Sequence, residues 1–324
     1  MEYLYIPLIV VNFLGVLVPT LLAVAFLTLL ERKVIGYMQL RKGPNLVGPW
    51  GILQPIADGL KLFIKERIKP FKASPFLFYA SPVAFFFIAL TLWRIVPVLV
   101  SGIKISLSLL FLITLSSLSV YAVLGSGWAS NSKYALLGAI RGVAQTVSYE
   151  VRFGLILLPL VFVVGGWCFR LFSKEGILLL FPLLPLFVMW YISTLAETSR
   201  APFDLTEGES ELVSGYKVEY AGAPFALFFI GEYAKIIIMN LVRVILFLGG
   251  GAPLNLFIFS IFVIVIKTTF FVFSFIWVRS SFPRIRYDQL MMLMWKSFLP
   301  LSIGFFMYYF VLIILLGGAP SFFY

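Results

Sequence analysis

Eight stretches of this chain approach or exceed the run of about 20 apolar residues that crosses the hydrocarbon of a bilayer. They lie at roughly 4–30, 76–98, 105–125, 134–166, 177–196, 223–248, 254–278 and 297–317. In lipid each backbone N–H and C=O must find its partner inside the segment, so spans of this kind are helical. The chain is 61% hydrophobic and 12% charged, against roughly half and a quarter in soluble globular proteins. A water-soluble core of this size cannot hide so much apolar surface. The expected fold class is therefore an all-α integral membrane protein of about eight transmembrane helices, a single membrane domain over residues 1–324, with the lipid bilayer as its first partner. The first span, led by acidic Glu2, far exceeds the apolar core of a cleaved signal peptide. Neither a solenoid-type repeat nor a low-complexity tract is visible.

The reactive side chains narrow the chemistry. There is no histidine, and Cys168 is the single cysteine. Haem, blue copper and iron–sulfur clusters need several such ligands, and so do a zinc site or a disulfide framework. The expectation is that the chain binds no metal or other cofactor and carries no electrons itself.

Orientation follows from the cations. Sixteen Lys/Arg, from Arg32 to Lys296, fall in the loops after spans one, three, five and seven. Only Lys104, Arg170 and Lys174 occupy the opposite loops. The odd-numbered loops thus face the negative compartment, with both termini on the other side. Orientation alone accounts for the net charge of +11, and no nucleic-acid partner is expected.

Two loops carry more pattern than a connector needs. The first starts at Glu31-Arg32-Lys33 beneath span one and turns through Arg41-Lys42-Gly43-Pro44-Asn45. Ile52, Ile56, Leu60, Phe63 and Ile64 then recur at helical spacing, with Asp58, Lys61 and Lys65 on another face. That pattern describes an amphipathic helix in the interface plane. The second loop, after span five, holds Glu197, Asp204, Glu207, Glu209, Glu211 and Glu219, six of the fourteen acids in the protein. Thr206-x-x-Glu209 reads as a capping box opening a short helix, on which Glu207 and Glu211 are neighbours one turn apart. Apolar flanks and Gly208, Gly215 and Gly222 allow this loop to be partly re-entrant. Like charges and desolvation then act together to make it a proton-accepting cluster.

Ionisable groups within the spans are costly and normally face a protein or water-filled interior. Span six places Glu232, Lys235, Met239 and Arg243 on one face, where Glu232 and Lys235 can pair. Span four carries Glu150, with Arg141 and Arg152 about half a turn away, which puts that helix inside a bundle. Lys267, near the middle of span seven, needs a partner from elsewhere, Glu150 and Glu232 being candidates. Together these groups suggest a connected hydrophilic path.

Glu31-Arg32-Lys33, Gly43-Pro44-Asn45, Ser130-Asn131-Ser132-Lys133-Tyr134, the unbroken run from Ala196 to Leu212 and Arg284-Ile285-Arg286-Tyr287-Asp288-Gln289-Leu290 carry a family resemblance. The chain closely resembles the subunit 1 family of proton-pumping NADH:ubiquinone oxidoreductase (respiratory complex I), most of all its mitochondrially encoded type. The resemblance spans essentially the whole chain. It implies a membrane subunit that forms much of the ubiquinone access tunnel and docks the iron–sulfur-carrying peripheral arm. It also implies coupling of quinone reduction to proton translocation. Arg32, Arg41, Asp58 and Arg279 would line or shape the tunnel. Asp204, Glu207, Glu209 and Glu211 would form an acidic coupling loop, and Glu150, Glu197 and Glu232 a proton path. Ubiquinone would be the substrate, with FMN and iron–sulfur clusters held by partner subunits. Implied partners are the iron–sulfur and quinone-reducing subunits of the peripheral arm, small membrane subunits and antiporter-like membrane subunits. The implied site is the mitochondrial inner membrane; a bacterial plasma membrane suits the residues equally. Two other readings of the charges remain: a stand-alone secondary transporter or cation channel, against which the missing inverted repeat argues, and the equivalent subunit of a membrane-bound hydrogenase.

Overall fold

The computed structural model describes residues 2–96, 105–174, 179–206, 208, 214–251 and 257–315, and among these every regular element is helical. Helix α1 (Glu2–Met38) has 37 residues, roughly 55 Å at 1.5 Å per residue. It outruns its expected end near residue 30, so Glu31-Arg32-Lys33 lies in its closing turns and not in the following loop. Charged side chains do not stop a helix once it has left the hydrocarbon. The interfacial helix is present as α2 (Gln54–Ile64), with Pro55 in its first turn, where the missing N–H costs nothing. It packs along α1. Ile56, Leu60, Phe63 and Ile64 remain uncovered on its outer face.

Helix α3 (Pro75–Leu92) closes in a 3-10 turn, Trp93–Ile95, and α4 (Ser108–Ser130) ends at Asn131 in the left-handed conformation. Helix α5 (Lys133–Val164) follows, then short α6 (Phe169–Lys174) and α7 (Leu184–Glu197). The fifth span is thus corrected. Its helix has 14 residues, roughly 21 Å, and not the run over 177–196. Pro182 and Pro185 explain this: proline supplies no N–H to an interior helical turn but suits a first one. Helix α8 (Ala223–Leu248) occupies the expected range, and α9 (Phe257–Ser281) lies close to it. The last span begins earlier than expected. Helix α10 (Tyr287–Met292) passes through a π-helical turn, Leu293–Phe298, into α11 (Leu299–Leu315).

Seven of these helices, taking Tyr287–Leu315 as one, are long and apolar enough to cross a membrane. Helix α8 is the most enclosed and packs on α1, α2, α3, α6, α7 and α9, while α5 packs on α4, α7 and α11. The peripheral helices turn apolar ridges outward: Leu14, Val18, Leu22 and Phe26 on α1, Phe262, Ile266 and Phe270 on α9. That spacing of four is the lipid face of a helix.

The connections gather as the cation count requires. On one face Ser74 N donates to Ala129 O (3.1 Å) and Ile285 N to Pro202 O (3.0 Å), and Arg284 lies 3.6 Å from Asp204. These contacts join the segments after spans one, three, five and seven. On the other face Leu109 N, in the first turn of α4, donates to Trp167 O at 3.1 Å, joining the start of span three to the segment after span four.

Candidate functional site

The chain leaving α7 folds back against α5, and the residues on α5 explain why it can. Gly142 approaches Thr206 so closely that a Cβ there would lie 2.8 Å from its methyl group, and Gly138 approaches Gly215 in the same way. Buried Gln145, about one turn beyond Gly142, donates to Ala196 O (2.8 Å) and Phe203 O (3.0 Å). Phe203, Leu205, Thr206, Tyr216 and Lys217 are buried in consequence.

This return encloses a polar cavity of about 40 Å³ between α4, α5, α7 and α8, room for ordered water. Ser119, Thr146, Glu197, Thr198, Thr206, Tyr216, Glu232 and Lys235 line it. The expected pairing of Glu232 with Lys235 is corrected here. Glu232 takes the Lys217 ammonium at 2.5 Å and the Tyr216 hydroxyl at 2.7 Å. Lys235 donates to Ser119 Oγ at 2.5 Å and lies 5.0 Å above the Phe85 ring. The charges that act on Lys235 are Glu197, Glu150 and Glu232. One carboxylate oxygen of Glu197 and one of Glu150 are buried without a hydrogen-bond partner among the described residues. Buried polar atoms of this kind need water or a proton.

A second cavity, about 20 Å³, lies between α1, α8 and α9. Leu27, Ile236, Val272, Phe275 and Ile276 form its apolar wall, and Glu31, Arg200, Tyr233 and Arg279 its polar end. Glu31 faces inward and is contacted by the guanidinium of Arg279. It also accepts from the Tyr233 hydroxyl at 2.6 Å and lies 3.8 Å from Arg200. Arg200 stacks over the Tyr233 ring at 4.5 Å and is among the charges acting on Glu232. It therefore belongs electrostatically to both cavities.

The expected site residues divide accordingly. Glu197 and Glu232 line one cavity, with Glu150 within electrostatic reach of Glu197. Arg279 lies at the second cavity. Arg32 and Asp58 form a half-exposed pair at 2.5 Å joining α1 to α2, and exposed Arg41 donates to Gln39, away from both cavities. Asp204 pairs with Arg284. Glu207, Glu209 and Glu211, and with them the capping box, lie outside the described residues. Lys267 binds backbone carbonyl oxygens. It donates to Leu248 O and Gly250 O, both at 3.0 Å, the carbonyl end of α8, where Gly249 and Gly250 adopt positive φ. A cation is well placed at a helix C-terminus. Arg152 is buried, in contact with Met294 and over the Tyr149 and Phe298 rings at 4.8 and 5.0 Å. This agrees with the expected position of α5 inside the bundle. Residues that sequence reasoning missed are Lys217, Tyr216, Ser119, Tyr233 and Arg200. Their signal was weak, since each becomes distinctive only beside a carboxylate distant in sequence.

Fold and site together define a multi-pass helical membrane protein with a carboxylate-lined cavity and a smaller, mostly apolar one. The sequence matches the family model described as NADH dehydrogenase over residues 11–310. It is similar to NADH-ubiquinone oxidoreductase chain 1 of Paracentrotus lividus, at 61% identity over 94% of each chain. The proteins of the same description from Patiria pectinifera and Carassius auratus are 59% and 58% identical over 96% of each chain. The chain belongs to this family, as its motifs led one to expect.

Proposed function

We propose that this chain works in the mitochondrial inner membrane as a subunit of the proton-translocating NADH:ubiquinone oxidoreductase, complex I. It forms much of the ubiquinone passage, docks the peripheral arm and couples quinone reduction to proton translocation. Quinone-reducing, iron–sulfur and FMN-carrying partners supply the electrons, and small and antiporter-like membrane subunits receive the effect. The chain contributes an apolar wall for the isoprenoid tail, from Leu27, Ile236, Val272, Phe275 and Ile276, closed by Glu31 and Arg279. Arg32, Asp58 and Arg41 belong to the rim of that passage on the α1–α2 side.

The carrying observation is the position of Arg200, bound to the Glu31 end of the apolar cavity while its charge acts on Glu232 in the polar one. A change of charge on a quinone near Glu31 alters how Arg200 is shared. The acids Glu232, Glu197 and Glu150 then redistribute their protons, helped by the acidic loop through Asp204, Glu207, Glu209 and Glu211. The coupling is no larger than the difference with which the two quinone states act on this link. Replacing Arg200 by Gln tests the link. In sealed vesicles the assembled variant enzyme is expected to reduce quinone while delivering fewer protons per quinol. An unchanged ratio removes Arg200 from the coupling.

A further inference from the structure

The geometry points to Lys235 as the movable counter-charge that fixes how many protons the cavity's carboxylates hold, a positioning residue for the coupling proposed above and dependent on that reading. The charge inventory carries the inference. Glu232 is already matched, by Lys217 at 2.5 Å and the Tyr216 hydroxyl at 2.7 Å. The charge of Glu197 on α7 acts on Glu150 on α5, and Lys235 is the cation that acts on both. One oxygen of each has no hydrogen-bond partner among the described residues. Glu197 and Lys235 line the cavity of about 40 Å³, and Glu150 lies within electrostatic reach of both. Two carboxyl groups and one ammonium approach neutrality when the two acids hold a single proton between them.

The ammonium is not seated on either acid. It is docked across the cavity, on Ser119 Oγ of α4 at 2.5 Å, above the Phe85 ring of α3 at 5.0 Å. The four-carbon arm of lysine is flexible, and Lys235, Ser119 and Glu197 line the same space. When the ammonium swings to Glu197 and Glu150, their shared proton leaves to cavity water. When it returns to Ser119, the acids take a proton back. No bond other than O–H breaks or forms. The groups facing Lys235 are thus Phe85 from α3, Ser119 from α4, Glu150 from α5, Glu197 from α7 and the Glu232–Lys217 pair.

The test compares Lys235→Met, Lys235→Arg and Ser119→Ala in the assembled enzyme in sealed vesicles. Without the cation the two acids keep protons to higher pH. Lys235→Met is therefore expected to move the alkaline limb of the pH profile of proton translocation upward by about one unit. It should also about double the protonated-carboxyl signal in infrared spectra, and Lys235→Arg should restore both. Ser119→Ala removes the dock and leaves the ammonium with the acids, so the limb is expected to move down. A wild-type profile and carboxyl signal in Lys235→Met overturn the inference. Should that variant fail to assemble, an unmoved or raised limb in Ser119→Ala overturns it. Glu197→Gln separates the two levels. If it lowers the proton yield while Lys235→Met behaves as wild type, the coupling stands and Lys235 has no part in it. If it changes nothing, the coupling itself fails.

Discussion

Gln145 shows how much of this site hangs on single side chains. Its one amide nitrogen holds the carbonyls of Ala196 and Phe203 and so fixes where the chain turns back after α7. Replacing it with Leu preserves the bulk but takes one of two donors from each carbonyl, since Ser199 N still reaches Ala196 O and Leu205 N still reaches Phe203 O. The two lost bonds cost about 0.5–1.5 kcal/mol each. The apparent melting temperature of the assembled enzyme is expected to drop, with the 198–206 segment first to become protease-sensitive. Which charged residues lie within the spans was legible from the sequence, because Glu150, Glu232, Lys235, Arg243 and Lys267 interrupt apolar runs. Which partners they take was not. The choice of Lys217 over Lys235 by Glu232, or of the α8 carbonyls by Lys267, depends on how helices rotate against each other. Arg243 makes the same point: it is fully buried, bonded to Thr194 Oγ1 at 2.5 Å and Asn240 Oδ1 at 3.1 Å. The rings of Tyr191, Phe271 and Phe275 surround it at 4.4, 5.1 and 5.0 Å, and cation–π attraction strengthens in such a dry setting.

At the scale of elements, the small-residue face of α5 is decisive. At Gly138 a Cβ would lie 2.8 Å from the Gly215 backbone, whereas at Gly154 nothing lies within 4 Å. Gly138→Ala must therefore push the returning chain away and is expected to cost about 1–3 kcal/mol by overpacking. Gly154→Ala, on the same helix, should be neutral or slightly stabilising. Thermal unfolding of the two variants side by side checks the contrast. Helix existence was legible from hydropathy, and α8 fell in its expected range. Ends were harder: α1 continues into water, α7 is cut short behind Pro182 and Pro185, and a π-helical turn links α10 to α11. Hydropathy reports the lipid thickness and not the length of the helix that crosses it.

For the whole molecule, the two cavities matter through the link between them: Arg200 lines the mostly apolar one beside Glu31 and Arg279, and its charge acts on Glu232 in the carboxylate-lined one. The motifs pointed to the acids but gave no sign of Arg200 as the link, since a single arginine in an acidic loop has no signature of its own. The most direct measurement of the central claim is the number of protons delivered per quinol by sealed vesicles carrying the Glu197→Gln enzyme. That residue is buried, lines the polar cavity and is not part of the apolar one. Quinone reduction is expected to continue while the proton yield falls clearly below wild type. A wild-type yield at a wild-type rate would contradict the account.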